Sequence, residues 1–196
     1  MKFVSHSQAG QSAFVFAVLN GKTDGVFLDI GCSHPVELSN TYDLERVGWT
    51  GVLLDSSADA VHLCLEHRNA PAFCGDATSF NWRPIIDAIG PVSYASVDVD
   101  EATSQALENL LRSGCWPSVV TCEHDQYLRG DRLRSKNREL FFSFGYEVIA
   151  SDVHHDGCSF EDWVAHPESV DMSIANKFKS EGLDWKAVLQ QGGVQL

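Results

Sequence analysis

Apolar, β-branched runs of strand length alternate along this chain with segments of helical period, and that alternation restricts the fold more than any other feature. The strand-like runs cover residues 26–30, 51–54, 72–74, 92–99, 119–122 and 146–150. Between them, 58–68 places Val61 and Leu65 on one stripe, 101–112 does the same with Ala106, Leu107, Leu110 and Leu111, and 131–144 with Leu133, Leu140, Phe141 and Phe144. Strands that are apolar almost throughout are covered on both faces, and strand–helix–strand alternation calls for right-handed crossovers. The expected architecture is a three-layer α/β/α domain with a doubly wound, mostly parallel sheet. At 196 residues, with no repeat or linker, the chain reads as one domain. Sheets of this kind bind ligands at the carboxyl ends of their strands, so the residues there are the ones to question.

Three successive strands end in acid. The first leads through Asp29 and Gly31 into Cys32-Ser33-His34-Pro35, the second into Asp55-Ser56, and the third into Gly75-Asp76-Ala77. Gly31 allows a tight turn that brings loop amides to a ligand, Asp55 is placed to accept from both ribose hydroxyls of an adenosine, and Asp76 from an adenine amino group. A dinucleotide is disfavoured, because the glycine fingerprint that cradles a pyrophosphate is missing and Ser33 and Pro35 stand where flexibility is needed. S-adenosylmethionine, whose sulfonium and ammonium are attracted to carboxylates, fits better.

The fourth and fifth strands run into Asp98-Val99-Asp100-Glu101 and Glu123-His124-Asp125, positions that overhang a transferred methyl. Methyl transfer to oxygen or nitrogen needs in-line approach and removal of the acceptor's proton. His124 is a candidate base, since an ordinary imidazole titrates near neutrality; Asp98 is the other candidate, to hold the acceptor or take the proton. A magnesium reading stays open, with Asp98 or Asp100 and Glu123 with His124 or Asp125 as ligands, although an imidazole is a poor magnesium ligand and no metal residue is assigned. His154-His155-Asp156 is either solvated or part of an acceptor pocket, and Trp49, Phe160 and Trp163 read as packing residues.

Lys plus Arg number 14 against 27 Asp plus Glu, a net charge of −13, which argues against nucleic acid or an anionic membrane as partner. The apolar run 13–19 is too short to span a bilayer, and no signal peptide is read. Six cysteines with no CxxC pair suit reduced thiols in the cytoplasm.

Several spaced clusters resemble one family. Ser7-Gln8-x-Gly10-Gln11, Asp29-Ile30-Gly31, His34-Pro35, Ser39-Asn40-Thr41-Tyr42, Leu44-Glu45, Gly48-Trp49-x-Gly51, Phe160-Glu161-Asp162-Trp163 and His166-Pro167 look like the pattern of FkbM-type S-adenosylmethionine-dependent methyltransferases. The resemblance implies a Rossmann-like class I fold, seven strands with the last antiparallel, and cofactor over the ends of strands one to four. It divides the domain (1–196) into an N-terminal helical element (1–24), a cofactor-binding half (25–90) and an acceptor-side half (91–196). The cofactor set it implies, with the strand-end reading, is Gln8, Asp29, Gly31, Cys32, Asn40, Asp55, Ser56, Asp76, Ala77 and Asp98. His34-Pro35 departs from the usual closing glycine of the first loop. The expected activity is O-methylation of a small hydroxylated acceptor such as a sugar or glycan precursor. A catalytically inert module acting through a partner protein is the alternative, and a nucleotide-sugar or NAD enzyme is disfavoured by the absent phosphate loop.

Overall fold

Alternate side chains along each central strand enter two separate apolar cores, as a sheet covered on both faces requires. The computed structural model describes residues 5–195, so the first four residues of the N-terminal element lie outside it. The strands are β1 (Val26–Ile30), β2 (Thr50–Asp55), β3 (Ala72–Cys74), β4 (Tyr94–Val97), β5 (Val119–Glu123), β6 (Glu147–His155), β7 (Cys158–Ala165) and β8 (Ser180–Glu181). They lie in the order β3-β2-β1-β4-β5-β7-β6-β8. The first five are mutually parallel, β7 runs antiparallel between β5 and β6, and β8 lies parallel on the edge of β6.

The helices are α1 (Gln11–Val18), α2 (Tyr42–Arg46), α3 (Ala58–His67), α4 (Arg83–Ile89), α5 (Thr103–Arg112), α6 (Gln126–Arg129), α7 (Asp131–Ser143), α8 (Met172–Ala175) and α9 (Trp185–Gln191). Phe27, Leu53, Tyr94 and Trp163 join Phe14 and Val15 of α1 and Val188 and Leu189 of α9 in one core. Leu28, Ile30, Leu54, Val97 and Val120 join Leu107, Leu110 and Leu111 of α5 and Phe141 of α7 in the other. Among the described residues no helix is long and apolar enough to cross a membrane.

The sheet has eight strands rather than seven. After β7 the chain crosses the α1 face through α8 and returns two residues, Ser180 and Glu181, to pair with Ala150 and Ser151 at the free edge. The sixth strand continues to His155, well past the apolar run, because β7 folds back on it as a hairpin, with register shifts between Val148 and His154 and with Val153 still in the core. The helix expected from 101 begins at Thr103, after a 3₁₀ turn over Asp100–Ala102. Trp49, Phe160 and Trp163 are buried, and Phe160 also lines a cavity beside the β6–β7 hairpin, which its reading as a packing residue does not include.

The segment 34–41, which follows β1, is fixed by a buried guanidinium. Arg68 pairs with Glu45 and donates to the Pro35 carbonyl (3.1 Å), Ser39 Oγ (3.2 Å) and Thr41 Oγ1 (3.1 Å). Its charge also lies 5.7 Å from the ring centroids of both Phe27 and Tyr42. Glu45 in turn accepts from the Asn69 and Ala70 amides. Truncating one partner of such a pair leaves the other charge buried and uncompensated. Arg68→Ala is expected to lower the unfolding free energy by about 3–5 kcal/mol, read by urea denaturation; a loss below about 1 kcal/mol would refute this account.

Candidate active site

The first loop passes so close to β4 that no side chain fits between them. Gly31 has φ +89°, and a Cβ added there would lie 1.7 Å from the Asp98 carbonyl oxygen. The Gly31 and Cys32 amides donate to the Leu54 carbonyl (2.8 and 3.2 Å), and the Asp98 amide donates to the Ile30 carbonyl (2.9 Å). The ends of β1, β2 and β4 are thereby drawn around one cleft of about 520 Å³, walled by Gln8, Gly31, Ser33, Asp55, Ser56, Gly75, Asp76, Ala77, Thr78, Asp98, Val99, Asp100, Ala102 and Glu123.

Each acid at the cleft is oriented by its neighbours. Asp55 accepts from the Ser33 amide (2.9 Å) and the Ser57 amide (2.8 Å), so one carboxylate ties the first loop to the start of α3. Asp76 accepts from the Thr78 hydroxyl (2.7 Å) and amide (2.8 Å), which hold it below the usual carboxylate range. Asn109 of α5 donates to the Ala77 and Phe80 carbonyls and fixes that loop from behind. Burial pushes Asp98 above the usual range, against the hydrogen bond it receives from Glu123. Burial, and after it the neighbouring Asp98 and Asp125, raise Glu123 as well. Asp98 and Glu123 thus place two raised carboxyls on the wall of one cleft.

Of the residues expected at the cofactor, Gln8, Gly31, Asp55, Ser56, Asp76, Ala77 and Asp98 come together here. Asp29, Cys32 and Asn40 do not line the cleft. Asp29 is buried and accepts from Thr41 Oγ1 (2.6 Å); desolvation raises it above the usual range. Cys32 is buried with its thiol 3.8 Å from that of Cys64, and Asn40 donates to Ser96 Oγ (2.9 Å). Ser33, Thr78, Val99, Ala102 and Gly75 join the wall; only their place in strand-end loops could have flagged them.

His124 is also elsewhere. The chain turns at the end of β5, the His124 and Asp125 amides both donate to the Phe160 carbonyl, and the imidazole is fully buried on the α7 side of the sheet. Its Nε2 lies 3.5 Å from Asp162 and 3.9 Å from Asp152, without a hydrogen-bond partner. Arg138 forks onto Asp162 (2.7 and 2.8 Å), and Arg134 (2.8 Å) and Arg138 (3.0 Å) hold Asp152. Burial opposes ionisation of Asp162, but the Arg138 fork outweighs it and holds the carboxyl down at about 2. His124, Asp152 and Asp162 are close enough to ligate one cation, but guanidinium groups already occupy those carboxylates. Of the magnesium set considered from the sequence, His124 is turned away, whereas Asp98, Asp100 and Glu123 line the cleft.

Behind the cleft, Glu161 is fully buried and accepts from Gln11 Nε2 (3.0 Å) and from Trp163 Nε1. Desolvation outweighs these donors and pushes it up to about 8.

No protein-family profile and no curated protein matches the sequence. Solved structures do match in fold. They include an O-methyltransferase from Bacillus cereus in complex with SAH (TM-score 0.60, 16% identity, 84% of each chain). A TehB-like SAM-dependent methyltransferase from Corynebacterium glutamicum has TM-score 0.55 at 15% identity, over 80% of this chain and 86% of that one. The fibrillarin pre-rRNA processing protein of Methanococcus jannaschii has TM-score 0.52 at 15% identity, over 74% and 67%. The fold is the Rossmann-like class I methyltransferase fold.

A carboxyl raised on folding favours the native state while protonated, so its stabilisation is complete below the ordinary value and lost as pH rises. For Glu161 that window runs from about 4.5 to about 8. Glu161→Gln, which keeps an acceptor for Gln11 and Trp163, is expected to flatten the fall in melting temperature across that window. An unchanged pH profile would place Glu161 outside this linkage.

Proposed function

We propose that this chain is a cytoplasmic S-adenosylmethionine-dependent methyltransferase, of FkbM type on its motif resemblance, that methylates a hydroxyl of a small acceptor. The observation that carries the reading is the convergence of Gly31, Asp55, Asp76 and Asp98, from four different strand ends, on one cleft. The cleft fits the cofactor: its volume lies within the roughly 300–1,000 Å³ of small-molecule sites, Gly31 leaves open the space a side chain would fill, and its polar groups are mainly acceptors. Asp55 would hold the ribose, Asp76 and Ala77 the adenine edge, and Gln8, Gly31 and Asp98 the methionine end.

When bound, S-adenosylmethionine supplies a methyl on a positively charged sulfur. Held by Asp55, Asp76, Gly31 and Asp98, it would supply that methyl to the acceptor oxygen, with sulfur keeping the electron pair of the bond given up. The acceptor's proton passes to the Asp98 carboxylate, which Glu123 keeps ready by donating to it, and then to water. The acidic surface and the absence of a basic stripe support a small-molecule partner rather than nucleic acid or a membrane.

Calorimetric titration with S-adenosylhomocysteine tests the cofactor site. Wild type is expected to bind, and Asp55→Ala to weaken binding by about tenfold or more, the loss of a charge-assisted hydrogen bond. Absence of binding to wild type overturns the reading. Asp98→Asn is expected to lower turnover by about 10²–10⁴-fold. Because Asp98 acts as the carboxylate, the rate falls as pH drops through a value above the ordinary 3.8. Glu123→Leu removes the donor proposed to oppose this rise, so the acid limb moves to higher pH; an unmoved limb dismisses that role of Glu123.

A further inference from the structure

A second cavity, about 210 Å³, opens beside the cofactor cleft and shares two side chains with it, Gln8 and Glu123. Its other walls come from the end of β5, the start of α6 and the β6–β7 hairpin: Asp125, Tyr127, His155, Asp156, Cys158 and Phe160. None of these elements contributes to the adenosine end. The shared Gln8 and Glu123 stand on the same wall system as Asp98, so a molecule seated here meets the cleft on its Asp98 side.

We propose that this cavity is the acceptor pocket and that it selects an acceptor carrying a protonated amine beside the hydroxyl to be methylated, in the manner of an amino sugar or amino polyol. The inference rests on the methyltransferase reading and specifies its acceptor. The size admits one sugar-sized unit, being below the roughly 300–1,000 Å³ typical of drug-sized ligands. Charge decides between cation, neutral and anion. Among the described residues no Lys or Arg lines the cavity, whereas Asp125 and Asp156 do. Arg129 is drawn to Asp100 (2.8 Å) and Glu101 and reaches Asp125 at 3.4 Å, and the His155 ring stands 3.8 Å from Asp156. An acceptor bearing phosphate or carboxylate would meet repulsion with no compensating partner.

Shape agrees with charge. Phe160 packs edge-on against His155, with centroids 6.1 Å apart, and Tyr127 stands 56% exposed at the rim. An aromatic wall beside carboxylates suits an ammonium with an apolar stem. Asp125 and Asp156 both occupy the left-handed region, φ 45° and 49°, where Asn is also tolerated. Asn can therefore adopt the same backbone conformation at both positions.

The test compares three six-carbon chains that differ in one group: 1-amino-1-deoxysorbitol, sorbitol and gluconate. Binding is followed by saturation-transfer NMR at pH 7.5 on the full chain saturated with S-adenosylhomocysteine. The amine is expected to bind about tenfold tighter than sorbitol, with gluconate undetected, and its advantage to shrink as salt is raised. In the Asp125→Asn, Asp156→Asn double variant the advantage should disappear while sorbitol affinity holds. Asp156→Asn alone, at an exposed hairpin turn, should remove part of it and covers the case in which the double variant does not fold. Equal binding of amine and sorbitol, detectable preference for gluconate, or no binding of any of the three overturns the proposal. Failure of S-adenosylhomocysteine to bind in the first step overturns the methyltransferase reading itself.

Discussion

The approach of Gly31 to the Asp98 carbonyl is the contact on which the site depends. It lets the loop after β1 pass between the ends of β2 and β4, where the Leu54 carbonyl receives two of its amides. Asp55 then reaches across to the Ser33 amide and locks the loop to the strand beside it. Any side chain at position 31 would push β1 and β4 apart, and the carboxylates at their tips would no longer face one volume. The cleft is thus a product of backbone proximity, and its chemistry is added by residues whose positions that proximity dictates.

With 27 acids and 14 Lys plus Arg, guanidinium groups are a scarce resource, and their distribution sorts structural carboxylates from available ones. Arg68 is spent on Glu45, and Arg134 and Arg138 on Asp152 and Asp162; each pairing fastens a helix or loop to its neighbour. Asp55 and Asp76 accept from amides and a hydroxyl, and Asp98 is raised by burial. A carboxylate bonded by amides keeps lone pairs for a ligand, whereas one closed by a bidentate guanidinium does not.

This sorting explains what the sequence could and could not reveal. Asp55, Asp76 and Asp98 were legible because a parallel strand aims its last residues at the ligand end of the sheet whatever the tertiary detail. Asp29 and His124 sit at equally suggestive positions, yet each points into a core, since one residue of phase along a strand end decides the face and the turn after β5 cannot be read from residue type. Arg138, which makes the surroundings of His124 structural, is 14 residues away on a different element. The strand 158–165 carried little periodic signal of its own, because Glu161 and Asp162 interrupt its apolar run and only pairing with β5 and β6 buries them.

The loop sequence His34-Pro35, where the FkbM-type pattern that the sequence resembles has a closing glycine, is a stiff segment in place of a flexible one. The His34 ring accepts from the Val36 and Glu37 amides (3.3 and 2.9 Å), Pro35 fixes its own φ, and the Pro35 carbonyl is held by Arg68. A glycine would leave this turn free to adapt around a ligand. Here the turn is set before any ligand arrives, by a side chain on itself and a buried charge from the end of α3. The loop's ordering entropy is met during folding, so the site needs only to seat its ligand rather than to shape itself around it.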